Sequence, residues 1–217
     1  MNVKAIKKYS MLYLICMAGC AVQAEIVYSN DFNGKETGGT GIAGRHLEIK
    51  SGKLYAANDQ DINSDYSFFV DLRSLALTKN PAVAGAKIIV TGCAPAAAER
   101  GWLGVGFSKE RNSFTSNDTT PWVYLPTNGQ LIWMNPKPTP FNRVVKSGKE
   151  FTMEITYNKT SDTMDIKYDD KAVLTDGKMN HAKLLSLDFL RIHFQYMQPA
   201  AFIKSVVVET IPANQKA

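Results

Sequence analysis

The chain has 217 residues, 45% hydrophobic and 21% charged, with 25 Lys and Arg against 20 Asp and Glu. This composition excludes a polar disordered chain, and the scattering of basic residues among acids excludes the clustered cationic face of a nucleic-acid binder. Three of the lysines, Lys4, Lys7 and Lys8, lie in the first 24 residues, so the remainder carries 22 basic against 20 acidic residues, a net +2.

Those first residues have the three-part composition of a secretory leader: the lysines, the apolar run from Met11 to Gly19, then small residues. The run is shorter than the about 20 apolar residues that span a bilayer, so it reads as a removable segment and no transmembrane span is expected. Two processing sites compete. Val22-Gln23-Ala24 suits a signal peptidase and leaves a mature domain of residues 25–217, whereas Met17-Ala18-Gly19-Cys20 matches a bacterial lipobox and would acylate Cys20. Both export the chain, to the periplasm, the medium or an outer-membrane lipid anchor. After cleavage at Ala24 only Cys93 of the three cysteines remains, so no intramolecular disulfide can form. About 190 residues are enough to bury a sizeable core without one. Cys93, between Gly92 and Ala94-Pro95 after an apolar stretch, reads as a buried small hydrophobe.

In chain order, strands are predicted over Ile26 to Phe32, Lys53 to Ala57, Phe68 to Leu72, Ala86 to Thr91, Trp102 to Ser108, Trp122 to Leu125 and Gln130 to Met134. Further strands follow over Phe151 to Asn158, Met164 to Tyr168, Ala172 to Leu174, Leu190 to Tyr196 and Phe202 to Thr210. The clearest period-two pattern sets Phe151, Met153, Ile155 and Tyr157 against Thr152, Glu154, Thr156 and Asn158. Lys159 to Asp162 then makes a hairpin turn into the next strand, and Asp169-Asp170 a second turn. Asp71 to Thr78 has the composition for about one helical turn. Gly, Pro, Asn and Asp punctuate the gaps, and no long apolar 3.6-residue period appears, so the fold class is all-β: one antiparallel two-sheet sandwich following a signal peptide.

Four segments carry a resemblance: Ile26-Val-Tyr-Ser-Asn-Asp-Phe-Asn-Gly34, Gly101-Trp-Leu-Gly-Val-Gly-Phe107, the hairpin through Tyr168-Asp-Asp-Lys171, and the closing strand Phe202 to Thr210. Together they resemble a concanavalin A-like lectin/glucanase jelly roll. The resemblance implies two curved antiparallel sheets with the first and last strands side by side, and carbohydrate taken on the concave face or rim loops.

Alternation also gives the candidate site. If Leu103, Val105 and Phe107 face the core, Trp102, Gly104, Gly106 and Ser108 share the other face, where glycines would leave a flat floor beside an indole that can stack on a sugar ring. The same argument sets Arg191, His193 and Gln195 opposite Leu190, Ile192 and Phe194, as hydrogen-bonding groups for sugar hydroxyls or a uronate carboxylate. The bland alternatives are sheet curvature at the glycines and a solvated polar face. Between them, the segment from Lys109 to Pro140 supplies Arg111, Asn117, Asp118, Trp122 and Tyr124 as further glycan contacts, while Trp133 alternates with Leu131 as a core residue. No cofactor is expected beyond a structural Ca²⁺ held by Asp31 and Asn33, residues that also make an ordinary turn.

These residues favour an exported glycan-binding domain. A polysaccharide-degrading enzyme is the alternative. The Glu-x-Asp-x-x-Glu strand of the related glucanases is absent, and Arg191-Ile192-His193 only loosely resembles the Gln-Ile-His strand of one alginate lyase family. A cell-envelope module that binds protein is a third reading, and the sequence sets no oligomeric state.

Overall fold

A computed structural model describes residues 23–56, 66–96, 101–109, 122–134, 138–179, 186–195 and 201–213. The leader with Cys20, and the candidates Arg111, Asn117 and Asp118, lie outside these residues.

Among the described residues sixteen strands form two antiparallel sheets. The first sheet contains β1 (Ile26–Asn30), β2 (Glu36–Thr37), β4 (Leu47–Lys50), β5 (Lys53–Ala56), β7 (Val83–Cys93), β12 (Glu150–Asn158), β13 (Thr163–Tyr168), β14 (Lys171–Lys178) and β16 (Phe202–Pro212). The second contains β3 (Gly41–Ala43), β6 (Ser67–Asp71), β8 (Trp102–Ser108), β9 (Trp122–Pro126), β10 (Gln130–Met134), β11 (Pro138–Arg143) and β15 (Phe189–Gln195), in the order β11-β10-β9-β8-β15-β6-β3. The first and last strands lie side by side, as the resemblance implies: β1 pairs antiparallel with β16, Ser29 opposite Val207.

The core lies between the sheets and follows the alternation. Ile88, Val90, Met153, Ile155, Met164, Ile166, Val206 and Val208 from the first sheet meet Phe68, Val70, Leu103, Val105, Phe107, Val123, Leu125, Leu190, Ile192 and Phe194 from the second. Each such side chain contributes roughly 1.5–3 kcal/mol when fully buried, and this packing holds the sandwich together. Cys93 is buried at the end of β7, and Trp133 sits in the core at 9% exposure.

The turns follow their chemistry. Asp169 and Asp170 both adopt positive φ, 48° and 62°, as a two-residue turn of the type favoured in hairpins requires, and Ser51-Gly52 does the same between β4 and β5. The predicted helical turn is a short 3-10 helix, Arg73–Leu75, closed by Ala76 in the left-handed region.

Candidate functional site

The outer face of the second sheet gathers the predicted residues. Strand β8 runs between β9 and β15, with Gly104 opposite both Tyr124 and His193 and Trp102 opposite Gln195. One strand further, β6 places Ser67 opposite His193 and Phe69 opposite Arg191. With Leu103, Val105, Phe107, Leu190, Ile192 and Phe194 in the core, the period of two sends Trp102, Tyr124, Arg191, His193, Gln195, Ser67 and Phe69 to the same outer face. Trp122 begins β9.

This is neither the flat glycine floor nor the solvated polar face that the sequence offered. Arg191 and His193 are 0% exposed and Gln195 is 8% exposed, whereas Trp102 and Tyr124 are half-buried. Nor is Gly104 an open floor. A Cβ placed there would stand 2.7 Å from Trp102 Cζ3 and 3.1 Å from Tyr124 Cδ1, so the missing side chain makes room for the indole itself. The indole lies over the strand between Tyr124 and His193, with ring centroids 4.3 Å and 5.2 Å away. Three aromatic rings from three adjacent strands thus form one cluster, held by the lateral register and by one glycine.

Beneath it lies a polar relay that the sequence reading missed. Ser67 Oγ accepts hydrogen bonds from Arg191 Nε at 3.1 Å and Nη2 at 3.0 Å, and sits 2.8 Å from His193 Nδ1. A hydroxyl oxygen has two lone pairs and one hydrogen. Both lone pairs are taken by the guanidinium, so the hydroxyl donates its hydrogen to Nδ1, and the imidazole proton is assigned to Nε2. Arg191 also stacks over the Phe69 ring at 4.8 Å.

The electrostatics agree with that tautomer. Burial, followed by the neighbouring guanidinium, pulls the His193 pKa down to about 3. Burial lowers Arg191 to about 9, with the Tyr124 phenol opposing the shift. Burial raises Tyr124, against the pull of Arg191. At neutral pH His193 and Tyr124 are therefore uncharged and Arg191 carries a positive charge.

Elsewhere, Asp31 and Asn33 make the ordinary turn. Asp31 Oδ1 accepts the backbone N–H of Asn33 at 2.9 Å and of Lys35 at 3.1 Å, and those amides, that of Asn33 foremost, lower the carboxyl pKa. Among the described residues no group of three or more His, Cys, Asp and Glu is placed to share a metal ion.

No family model matches the chain, and no curated protein matches it by sequence. Solved structures do match its fold. A Trypanosoma rangeli sialidase in complex with sialic acid aligns at a TM-score of 0.59 and 10% identity over 84% of this chain and 30% of the sialidase. The likeness is one of fold. The binding domain of botulinum neurotoxin DC, solved with rat synaptotagmin II, aligns at 0.55 and 10% identity over 84% of this chain and 47% of that one. The CBM2 module of an evolved Dit protein from Lactobacillus casei BL23 phage J-1 aligns at 0.50 and 13% identity over 89% and 98% of the two chains. The chain thus spans less than a third of the sialidase but nearly the whole of the CBM2 module.

Proposed function

We propose that this chain is an exported carbohydrate-binding module that takes a sugar on the outer face of the seven-stranded sheet. The observation that carries the reading is the half-exposed pair Trp102 and Tyr124, with centroids 4.3 Å apart over Gly104 and with Arg191, His193 and Gln195 packed on the same face. Aromatic rings offer the apolar faces of pyranoses a stacking surface. Two structures of like fold, the sialidase with sialic acid and the CBM2 module, carry names from sugar chemistry, which supports the reading as analogy. The leader composition supports binding outside the cytoplasm, with Cys20 as the anchor if the lipobox is used.

Binding is favoured over proton-abstracting catalysis by the state of the face. A general base works best with a pKa near the working pH. His193, at about 3, is 0% exposed with Nδ1 accepting from Ser67, and the raised Tyr124 phenol stays protonated.

A glycan array with the mature chain and its Trp102→Ala variant tests the proposal. We expect a defined set of glycans retained by the wild type and lost by the variant. Equal retention by both proteins removes the site, and retention of no glycan removes the function.

A further inference from the structure

The face that carries Trp102 continues along β8 and β15 to a second feature. Six residues from Trp102, about 20 Å at the rise of a strand, β8 ends at Ser108 opposite Phe189, which in turn lies opposite Asp71. Here a cavity of about 480 Å³ is lined by Arg73, Lys79, Lys109, Asp188 and the hydroxyl residues Thr78 and Ser186. Arg73 pairs with Asp71 and lies over the Phe189 ring at 4.8 Å. Asp188 accepts from Thr78 Oγ1 at 3.4 Å. Lys79 and Lys109 are exposed and make no ion pair with any described residue. Among the described residues, even with Asp71 counted beside Asp188, three cations face two carboxylates.

The Trp102 end has the same sign. Its charged residue, Arg191, lies at 0% exposure beneath the rings, so a ligand over Trp102 and Tyr124 meets the rings and feels the guanidinium through its field. One face therefore joins rings suited to a sugar, set over a buried positive charge, to an open basic cavity.

We infer that the ligand of this face is an acidic polysaccharide, whose carboxylate or sulfate groups meet Arg73, Lys79 and Lys109 at the far end of β8 while its sugar rings meet Trp102 and Tyr124 over the buried Arg191 charge. The inference rests on the carbohydrate reading above and adds the ligand's charge class and a second contact region about 20 Å from the first.

The test measures binding of the mature chain to a polyuronate, a sulfated glycan, a neutral glucan and a single-stranded oligonucleotide, each in 50 mM and 500 mM salt. We expect the acidic glycans to bind at least about tenfold more tightly than the glucan in low salt, and to lose most of that margin in high salt. The polyuronate and sulfated arms separate carboxylate from sulfate as the favoured group. The double variant Lys79→Glu/Lys109→Glu should lose about tenfold or more of acidic-glycan affinity with an unchanged melting temperature, since both side chains are exposed. The charge-matched control Lys50→Glu/Lys171→Glu, on the opposite sheet, should bind as the wild type does. Equal binding of acidic and neutral glycans, or no effect of the Lys79/Lys109 reversal, overturns the inference and leaves the carbohydrate reading standing. Binding of no glycan overturns both, and oligonucleotide binding as tight as polyuronate binding overturns the assigned ligand class.

Discussion

Replacing Ser67 by Ala should unsettle the second sheet out of proportion to the size of the change. The hydroxyl accepts two N–H groups of Arg191 and donates to His193 Nδ1, all at positions with no exposure. Its loss strands donors of a buried guanidinium and a buried ring nitrogen. Each unsatisfied buried group costs about 1–3 kcal/mol, more for a charged one, and partial relaxation offsets some of the sum. We expect a net destabilisation of about 3 kcal/mol. In urea, with a slope of about 2 kcal/mol per molar, the unfolding midpoint should fall by about 1.5 M at unchanged slope. Ser29→Ala is the matched control. Its hydroxyl bonds to Thr37 Oγ1 at 2.7 Å on an exposed surface, so its removal should cost less than about 0.5 kcal/mol. If Ser67→Ala also stays within about 0.5 kcal/mol of wild type, the relay does not hold Arg191 and His193 as described.

Two further outcomes follow from the same cluster. The His193 pKa falls from 6.5 to about 3 on folding, so the unfolded chain binds the extra proton first. The stability this gives is full above pH 6.5 and is lost as the pH falls toward about 3, at up to about 1.4 kcal/mol per pH unit. His193→Asn, whose amide oxygen can still accept from Ser67, should flatten that slope, and urea midpoints of the two proteins between pH 7 and pH 3.5 would show parallel curves if the reasoning is wrong. Gly104→Ala places a methyl 2.7 Å from Trp102 Cζ3. The half-exposed indole should swing outward, changing the near-ultraviolet circular dichroism and costing about 1–2 kcal/mol, and an unaltered spectrum would contradict the stacked geometry.

The central strands were legible because burial on one face imposes strict alternation. β8 and β10 have the bounds read from the sequence, and the row Trp102, Arg191, His193, Gln195 falls on one face as period two requires. Edge strands were not. β2, β3 and β11 lie at sheet margins, where short strands or prolines are tolerated, and Pro138 and Pro140 of β11 read as breakers although they sit at the edge of the seven-stranded sheet. β4 was also missed, being four residues long and mostly exposed.

Within the site, alternation tells which face a residue takes and nothing about what covers it, so the burial of Arg191 and His193 had no local signal. The role of Gly104 depends on where a neighbouring indole folds. Ser67 was lost for a simpler reason: the predicted strand began at Phe68, and only the lateral register of β6 on β15 brings that hydroxyl beside His193.

The most direct measurement is a map of backbone amide shifts as a glycan from the array is titrated into the mature chain. The largest changes are expected at Trp102 to Gly106, at Tyr124 and at Arg191 to Gln195. Changes centred on the opposite sheet, around Lys87, Glu154 and Glu209, with the Trp102 strand silent, would contradict the proposed site.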